Sequence, residues 1–328
     1  MDKKLIEKLV AASGVKSGEL VLVHFWGEDA DIGIMHSIAS TVAAMGASPV
    51  EMQQSRSINA QKFVDIKDGA FCEKYFSLIS NFDAVIDIFS YRPVAPGETP
   101  KGFQADAYRK YMSNFFNVIS KAKRFTQIRI PTEENAKESN LPYEEYRDRM
   151  LYAMDIDYDV LHKNCEKTVG ELDKKAEITL VTGDNHKLYF DLTGRKWFID
   201  AGDGDSPAGE VYIAPMEGKT KGNVFFKTLF AGCWGKFDDV LMTIEDGKIV
   251  STNCDGMNER LSELDDASKT ICELAFGQNP NISELCGYTV LDEKAKGTFH
   301  IGIGNNTMFG GENDVPFHMD YVGTGTIL

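Results

Sequence analysis

From Leu5 to about residue 170 the hydrophobic positions switch repeatedly between two spacings. Leu5 to Ala12 repeats every three to four residues, as one buried helix face does, and Leu20-Val21-Leu22-Val23-His24-Phe25 follows as a nearly unbroken apolar run. Such a short run predicts a strand buried on both faces. A helix is expected from about Asp31 to Met45, stopping at Gly46, then strands at Pro49 to Met52 and Ala84 to Phe89 with a helix at Glu73 to Ile79 before the second. Asp106 to Ala122 reads as helix, and Thr126 to Ile130 as a strand that ends at Pro131. Strands separated by helices predict a mostly parallel, doubly wound sheet.

After that the grammar changes. Tyr143 to about Lys174 reads as two charged helical segments joining the halves. Ala176 to Val181 and Leu188 to Leu192 then flank Gly183-Asp184-Asn185, the pattern of a hairpin. Val224 to Thr228, Val240 to Ile244 and Lys248 to Ser251 continue the strand pattern, and Asp265 to Phe276 is expected to be the main helix of this half, carrying Glu273 in its final turns. The expected fold is therefore α/β: a doubly wound domain over residues 1–170 and a β-rich α+β domain over residues 171–328.

Composition narrows the function classes. Hydrophobic residues at 43% and charged residues at 26% match an ordinary soluble globular chain. A net charge of -15 disfavours nucleic acid and anionic membrane, both of which require concentrated Lys or Arg. The N-terminus, Met1-Asp2-Lys3-Lys4-Leu5-Ile6-Glu7, lacks the apolar stretch of a signal peptide, and no run approaches a membrane span, so a cytoplasmic protein is expected. Six cysteines with no Cys-x-x-Cys pair predict buried thiols rather than a disulfide framework.

The candidate chemistry lies in the last third. Glu210, Glu273, His300, His318 and Asp320 each place a metal-ligand head in a short apolar string. Desolvating such a head without a partner costs about 2 kcal/mol or more, and a bound cation is the simplest common partner. In His318-x-Asp320 the alternation of a strand sends both side chains to one face, with Met319 pointing away. A nucleotide site on the first sheet is not expected, because Trp26-Gly27-Glu28-Asp29-Ala30-Asp31 has neither a Gly-x-Gly-x-x-Gly pattern nor a phosphate-loop lysine.

At these residues the chain resembles the thermophilic-type metalloaminopeptidases, the group that includes aminopeptidases T and S. Gly209-Glu210-Val211 through Ala214-Pro215 is similar to the family's glutamate motif, and Glu273-Leu274-Ala275-Phe276-Gly277-Gln278-Asn279-Pro280 to its second. Asp292-Glu293-Lys294-Ala295-x-Gly297-Thr298-x-His300-Ile301 is similar to its histidine motif, and His318-x-Asp320 completes the set. The resemblance implies that the five residues hold two divalent cations (zinc, cobalt or manganese), with Glu210 catalytic. It also implies that a water attacks the carbonyl beside a free amino terminus of a peptide, and that the chain forms a homodimer. Thr307 stands where that family has its catalytic tyrosine, and Tyr212, Tyr288 and Tyr321 are the candidates to replace it. Asp200, Asp203 and Asp205 are candidates to attract a substrate ammonium.

A competing reading uses fewer ligands. His300, His318 and Asp320 make the two-histidine, one-carboxylate set that holds Fe(II) in ring-cleaving oxygenases, and a dihydroxypyridine dioxygenase is similar in structure to the aminopeptidases. Glu210 and Glu273 argue against it, since one iron does not require two further buried carboxylates. A third reading is a non-catalytic metal-binding relative that kept the ligands without turnover.

Overall fold

The computed structural model describes residues 1–93 and 99–328. In chain order its helices are α1 (Lys3–Ala12), α2 (Gly33–Ala44), α3 (Arg56–Lys62), α4 (Glu73–Ile79), α5 (Ala105–Ile119), α6 (Glu133–Ser139), α7 (Tyr143–Met154), α8 (Tyr158–Leu172), α9 (Asp255–Ser262) and α10 (Thr289–Asp292). The strands are β1 (Leu20–Trp26), β2 (Ser48–Gln54), β3 (Ala84–Phe89), β4 (Arg124–Arg129), β5 (Glu177–Thr182), β6 (His186–Asp191), β7 (Phe198–Asp200) and β8 (Asp205–Ser206). They continue with β9 (Glu210–Ile213), β10 (Lys221–Phe230), β11 (Lys236–Glu245), β12 (Lys248–Thr252), β13 (Ile271–Gly277), β14 (Thr298–Gly304), β15 (His318–Thr324) and β16 (Thr326–Ile327).

Two compact units divide the chain: residues 1–158 with 202–207, and residues 159–201 with 208–328. The expected boundary near residue 170 falls inside α8, which belongs to the second unit from Asp159 onward, and the short stretch Gly202–Pro207 returns to the first. That return is invisible to periodicity because β8 is two residues long. It adds an edge strand through the parallel pairing of Asp205 and Ser206 with Gln127 and Ile128.

In the first unit the sheet order is β2-β1-β3-β4-β8 and every pairing is parallel, as the alternation predicts. Every residue of β3, and all of β1 after Leu20, is buried, which is why both read as unbroken apolar runs. One face packs Leu22 and Val85 against Phe63, Tyr108, Tyr111 and Phe115. Among the described residues no helix is long and apolar enough to cross a membrane.

The second unit is two antiparallel sheets, ordered β12-β11-β10-β6-β5-β16 and β15-β14-β13-β9-β7. The expected hairpin is present as β5/β6, and β11/β12 forms a second. The expected helix from Asp265 to Phe276 is absent: Asp265–Thr270 is a turn in which Asp265 Oδ1 accepts from Ser268 N at 2.7 Å, and Glu273 rides on β13. A central strand buried on both faces carries an unbroken apolar run, and over this length a helix reads the same way. Ring contacts join the two sheets, with Phe226 of β10 at 5.7 Å from Phe299 and 6.5 Å from Tyr321.

Candidate metal centre

Cross-strand register brings the predicted heads to one face of the second sheet. Glu273 pairs with Gly302, which pairs with Asp320; Ala275 pairs with His300 on one side and Tyr212 on the other. Asp200 pairs with Glu210, and Gly304 with His318. Direct partners share a face, so one face carries Asp200, Glu210, Tyr212, Glu273, His300, His318 and Asp320. The opposite face carries Val211, Leu274, Phe299, Ile301 and Tyr321, all buried in the core, with half-buried Phe276. A β-bulge at Cys272 breaks the register between Ile271 and Glu273. It also carries the Cys272 thiol to 3.6 Å from His318 Nδ1.

Small residues leave room for the heads. At Gly302 an added Cβ would lie 2.9 Å from both Asp320 Oδ1 and Glu273 Cβ, and 3.2 Å from His318 Cε1. A bare backbone on β14 is therefore what lets the ligand of β13 and the two of β15 converge across it. Ligand atoms of Glu273, His318 and Asp320 all lie within 4.8 Å of one another.

Glu273 sits at the centre. Its Oε1 lies 3.6 Å from His300 Nε2 and its Oε2 lies 3.4 Å from His318 Nε2. Glu210 Oε2 extends the cluster at 3.4 Å from His300 Nε2, and Asp320 Oδ1 does so at 3.2 Å from His318 Nε2. All five expected residues are thus brought together. The Nδ1 of His318 donates to the carbonyl of Asn305 at 2.9 Å, which turns Nε2 toward the carboxylates.

The electrostatics are those of a buried, mutually charged cluster. Burial pushes the Glu210 carboxyl above its ordinary range, against the pull of Lys294 and His300. Burial also opposes ionisation of Glu273, but contacts from His300 and His318 outweigh it and hold that carboxyl down at about 2. For His300 burial disfavours the imidazolium, yet Glu273, Glu210 and Asp320 lift it to about 9. His318 is likewise raised, burial being overcome chiefly by Asp320.

Sequence reasoning did not anticipate the lysine in this cluster. Lys294, 2% exposed, points its ammonium at Glu210 Oε1 at 2.5 Å, Glu293 Oε1 at 3.2 Å and Asp200 Oδ2 at 3.9 Å. Burial lifts the Glu293 carboxyl to about 8. The only sequence signal was the Asp292-Glu293-Lys294 string itself, which does not disclose that its lysine turns inward. Of the three acids expected to attract a substrate ammonium, Asp200 lies in the second unit beside Lys294, whereas Asp203 and Asp205 belong to the first unit.

Of the three candidate tyrosines, Tyr212 shares the polar face. Its ring meets Phe309 edge-on at 5.5 Å, and Phe309 in turn lies 6.4 Å from the His318 ring. Burial, with the charges of Glu210, Asp200 and Glu273 behind it, raises its phenol, which therefore stays protonated. Tyr321 faces the core, and buried Tyr288 precedes α10. Thr307 is exposed, its hydroxyl donating to Asn305 Oδ1 at 3.0 Å.

The donor set fits divalent cations. Glu210 Oε2 and His300 Nδ1 are buried with no hydrogen-bond partner among the described residues, and orphaned polar atoms at the heart of a carboxylate and imidazole cluster are what a bound cation would satisfy.

The fold has solved relatives. AmpT from Thermus thermophilus is similar with a TM-score of 0.67 and 17% identity, over 99% of this chain and 98% of that one. A 2,5-dihydroxypyridine dioxygenase from Pseudomonas putida is similar with a TM-score of 0.63 and 12% identity, over 98% of this chain and 91% of that one. No curated protein matches the chain. Residues 6–320 match the thermophilic metalloprotease family, M29. The expected resemblance therefore holds at the level of family, and with the match spanning nearly all of its length the chain belongs to the M29 thermophilic metalloproteases.

Proposed function

We propose that this chain is a metal-dependent aminopeptidase whose cluster holds a pair of divalent cations. The observation that carries the reading is the central position of Glu273, one oxygen toward His300 and the other toward His318. It divides the ligands into two sets joined by one carboxylate: Glu210 with His300, and His318 with Asp320.

Bound there, divalent cations would supply a water of lowered pKa and an electrophile for the scissile carbonyl. Glu210 is the proton acceptor in this reading. Its Oε2 makes no hydrogen bond among the described residues and Lys294 is on the other oxygen, so one carboxylate oxygen is left to take a proton from a bound water. Lys294 holds the other oxygen and fixes the direction in which the carboxylate faces. Tyr212 stands in for the phenol that Thr307 does not provide, its protonated hydroxyl available to donate to the oxygen that gains charge. Cys272 keeps out of the chemistry as a thiol, since burial pushes it up to about 12.

Hydrolysis of leucyl p-nitroanilide by the metal-loaded chain tests the assignment. Turnover that disappears with a chelator and returns with zinc, cobalt or manganese supports it. Oxygen uptake with one equivalent of iron and a dihydroxypyridine would instead favour the oxygenase reading on His300, His318 and Asp320.

A further inference from the structure

The first unit has a cavity of its own, at the place where its sheet topology opens. The order β2-β1-β3-β4 means that the chain leaves β1 toward β2 on one side and leaves β3 toward β4 on the other. Between such strands the carboxyl ends diverge, and in open α/β sheets that crevice is where ligands bind. A cavity of about 630 Å³ lies there, walled by the segments that follow β1, β3 and β4 and by α6 and α7. Its volume suits a small molecule.

Its floor is unsatisfied. Ser90, 2% exposed and the first residue after β3, lines the cavity with a hydroxyl that has no hydrogen-bond partner among the described residues. A buried hydroxyl without a partner costs free energy, so the position favours an incoming polar group. Beside it Glu28 is fixed by hydroxyls from Tyr91, at 2.9 Å, and Ser57.

The charges around the cavity are unequal. Its basic side chains are already paired, Lys137 with Glu134 at 3.0 Å and Arg147 with Asp148 at 2.9 Å and with Glu144, and the Met1 residue that also lines it carries an amino terminus set against the acids Glu28, Asp31, Glu133 and Glu134. Asp31 and Glu133, also on the lining, have no partner among the described residues. Ile34, Ile130 and Leu151 give the same cavity apolar wall. We propose that this cavity is a second binding site, for a primary ammonium carried on an apolar stem. The ammonium donates to Ser90 Oγ and Glu28, Asp31 and Glu133 add longer-range attraction, and the stem covers the aliphatic wall. This site is independent of the metal centre and of the peptidase reading.

Isothermal titration of the full chain with isoamylamine, L-leucine and isovalerate tests it. Isoamylamine and isovalerate share a stem and differ in charge, so binding of the amine without binding of the acid is the expected result. Leucine binding tighter than the amine identifies an amino acid as the occupant, and weaker binding identifies a simple amine; both support the site. Ser90→Val should abolish binding. The exposed pair Asp31→Asn with Glu133→Gln, which leaves the fold untouched, should weaken it roughly tenfold at low salt and less at high salt. His318→Ala, which removes a head from the metal centre, should bind the amine unchanged. Absence of binding by both isoamylamine and leucine, or binding that survives all the cavity variants and is lost in His318→Ala, overturns the proposal. Loss of peptidase activity with amine binding retained would bear on the metal centre alone.

Discussion

The ammonium of Lys294 lies 2.5 Å from Oε1 of Glu210, while Oε2 of the same carboxylate faces His300 Nε2 at 3.4 Å. One buried side chain is thus shared between an internal cation and the metal centre. Lys294 also lies within ion-pair reach of Glu293 and Asp200, so it offsets much of the negative charge that convergence of these acids creates.

Lys294→Met removes that compensation and leaves buried carboxylates unpaired. Breaking a buried pair costs about 3 kcal/mol or more, so the metal-free variant should unfold at markedly lower urea. Divalent cations should recover part of the loss. Equal loss with and without metal would show that the ammonium does not share its charge role with the cations.

Glu210→Gln keeps shape and removes charge and basicity. Loss of a general base costs roughly a hundredfold or more in rate. Steady-state hydrolysis of leucyl p-nitroanilide should fall by that order while the circular dichroism spectrum is unchanged. A rate close to that of the parent would remove Glu210 from the chemistry.

Gly302→Ala tests the crowding where ligands of β13 and β15 meet across β14. The new methyl would stand 2.9 Å from Asp320 Oδ1 and Glu273 Cβ, so one of them must move. Divalent affinity should drop roughly tenfold, about 1.4 kcal/mol, with a smaller change in the stability of the metal-free chain. Unchanged affinity would mean that the ligands do not depend on this close approach.

His300 links the site to pH. Its imidazole stands at about 9 in the folded chain against an ordinary 6.5. A raised pKa contributes stability that is complete below 6.5 and is lost as pH rises through about 9. Glu273, held at about 2, acts in the opposite sense, its contribution being present above the ordinary 4.5 and lost as pH falls through about 2. Urea unfolding of the metal-free chain should therefore become easier across the alkaline window, and saturating zinc, which requires neutral imidazole, should flatten that slope. A slope unaffected by zinc would contradict the role of His300 as a ligand.

Much of this site could be read before any coordinates. His318 and Asp320 share a face because strand alternation requires it, and Glu210 announced itself as an acid inside an apolar string. The parallel sheet of the first unit follows from runs such as Leu20–Phe25, in which every residue after Leu20 is buried. Glu273 was assigned to a helix because a fully buried central strand has no alternation to display; its β-bulge at Cys272 disturbs the phase further. Lys294 escaped notice for a different reason. Its partner Glu210 is 84 residues away, and the two become neighbours through the pairing of β9 with β13 and the bond from Asn279 N, just past β13, to the Lys294 carbonyl at 2.8 Å. The return of Gly202–Pro207 to the first unit rests on two residues of pairing, too few for any periodicity.

We propose that the five side chains on this sheet face hold two divalent cations with Glu273 shared between them. Equilibrium titration of the metal-free chain with zinc, read by metal analysis after dialysis, tests it most directly. Two equivalents per chain, reduced to one or none in Glu273→Ala, is the expected result. A single equivalent that survives Glu273→Ala would contradict it.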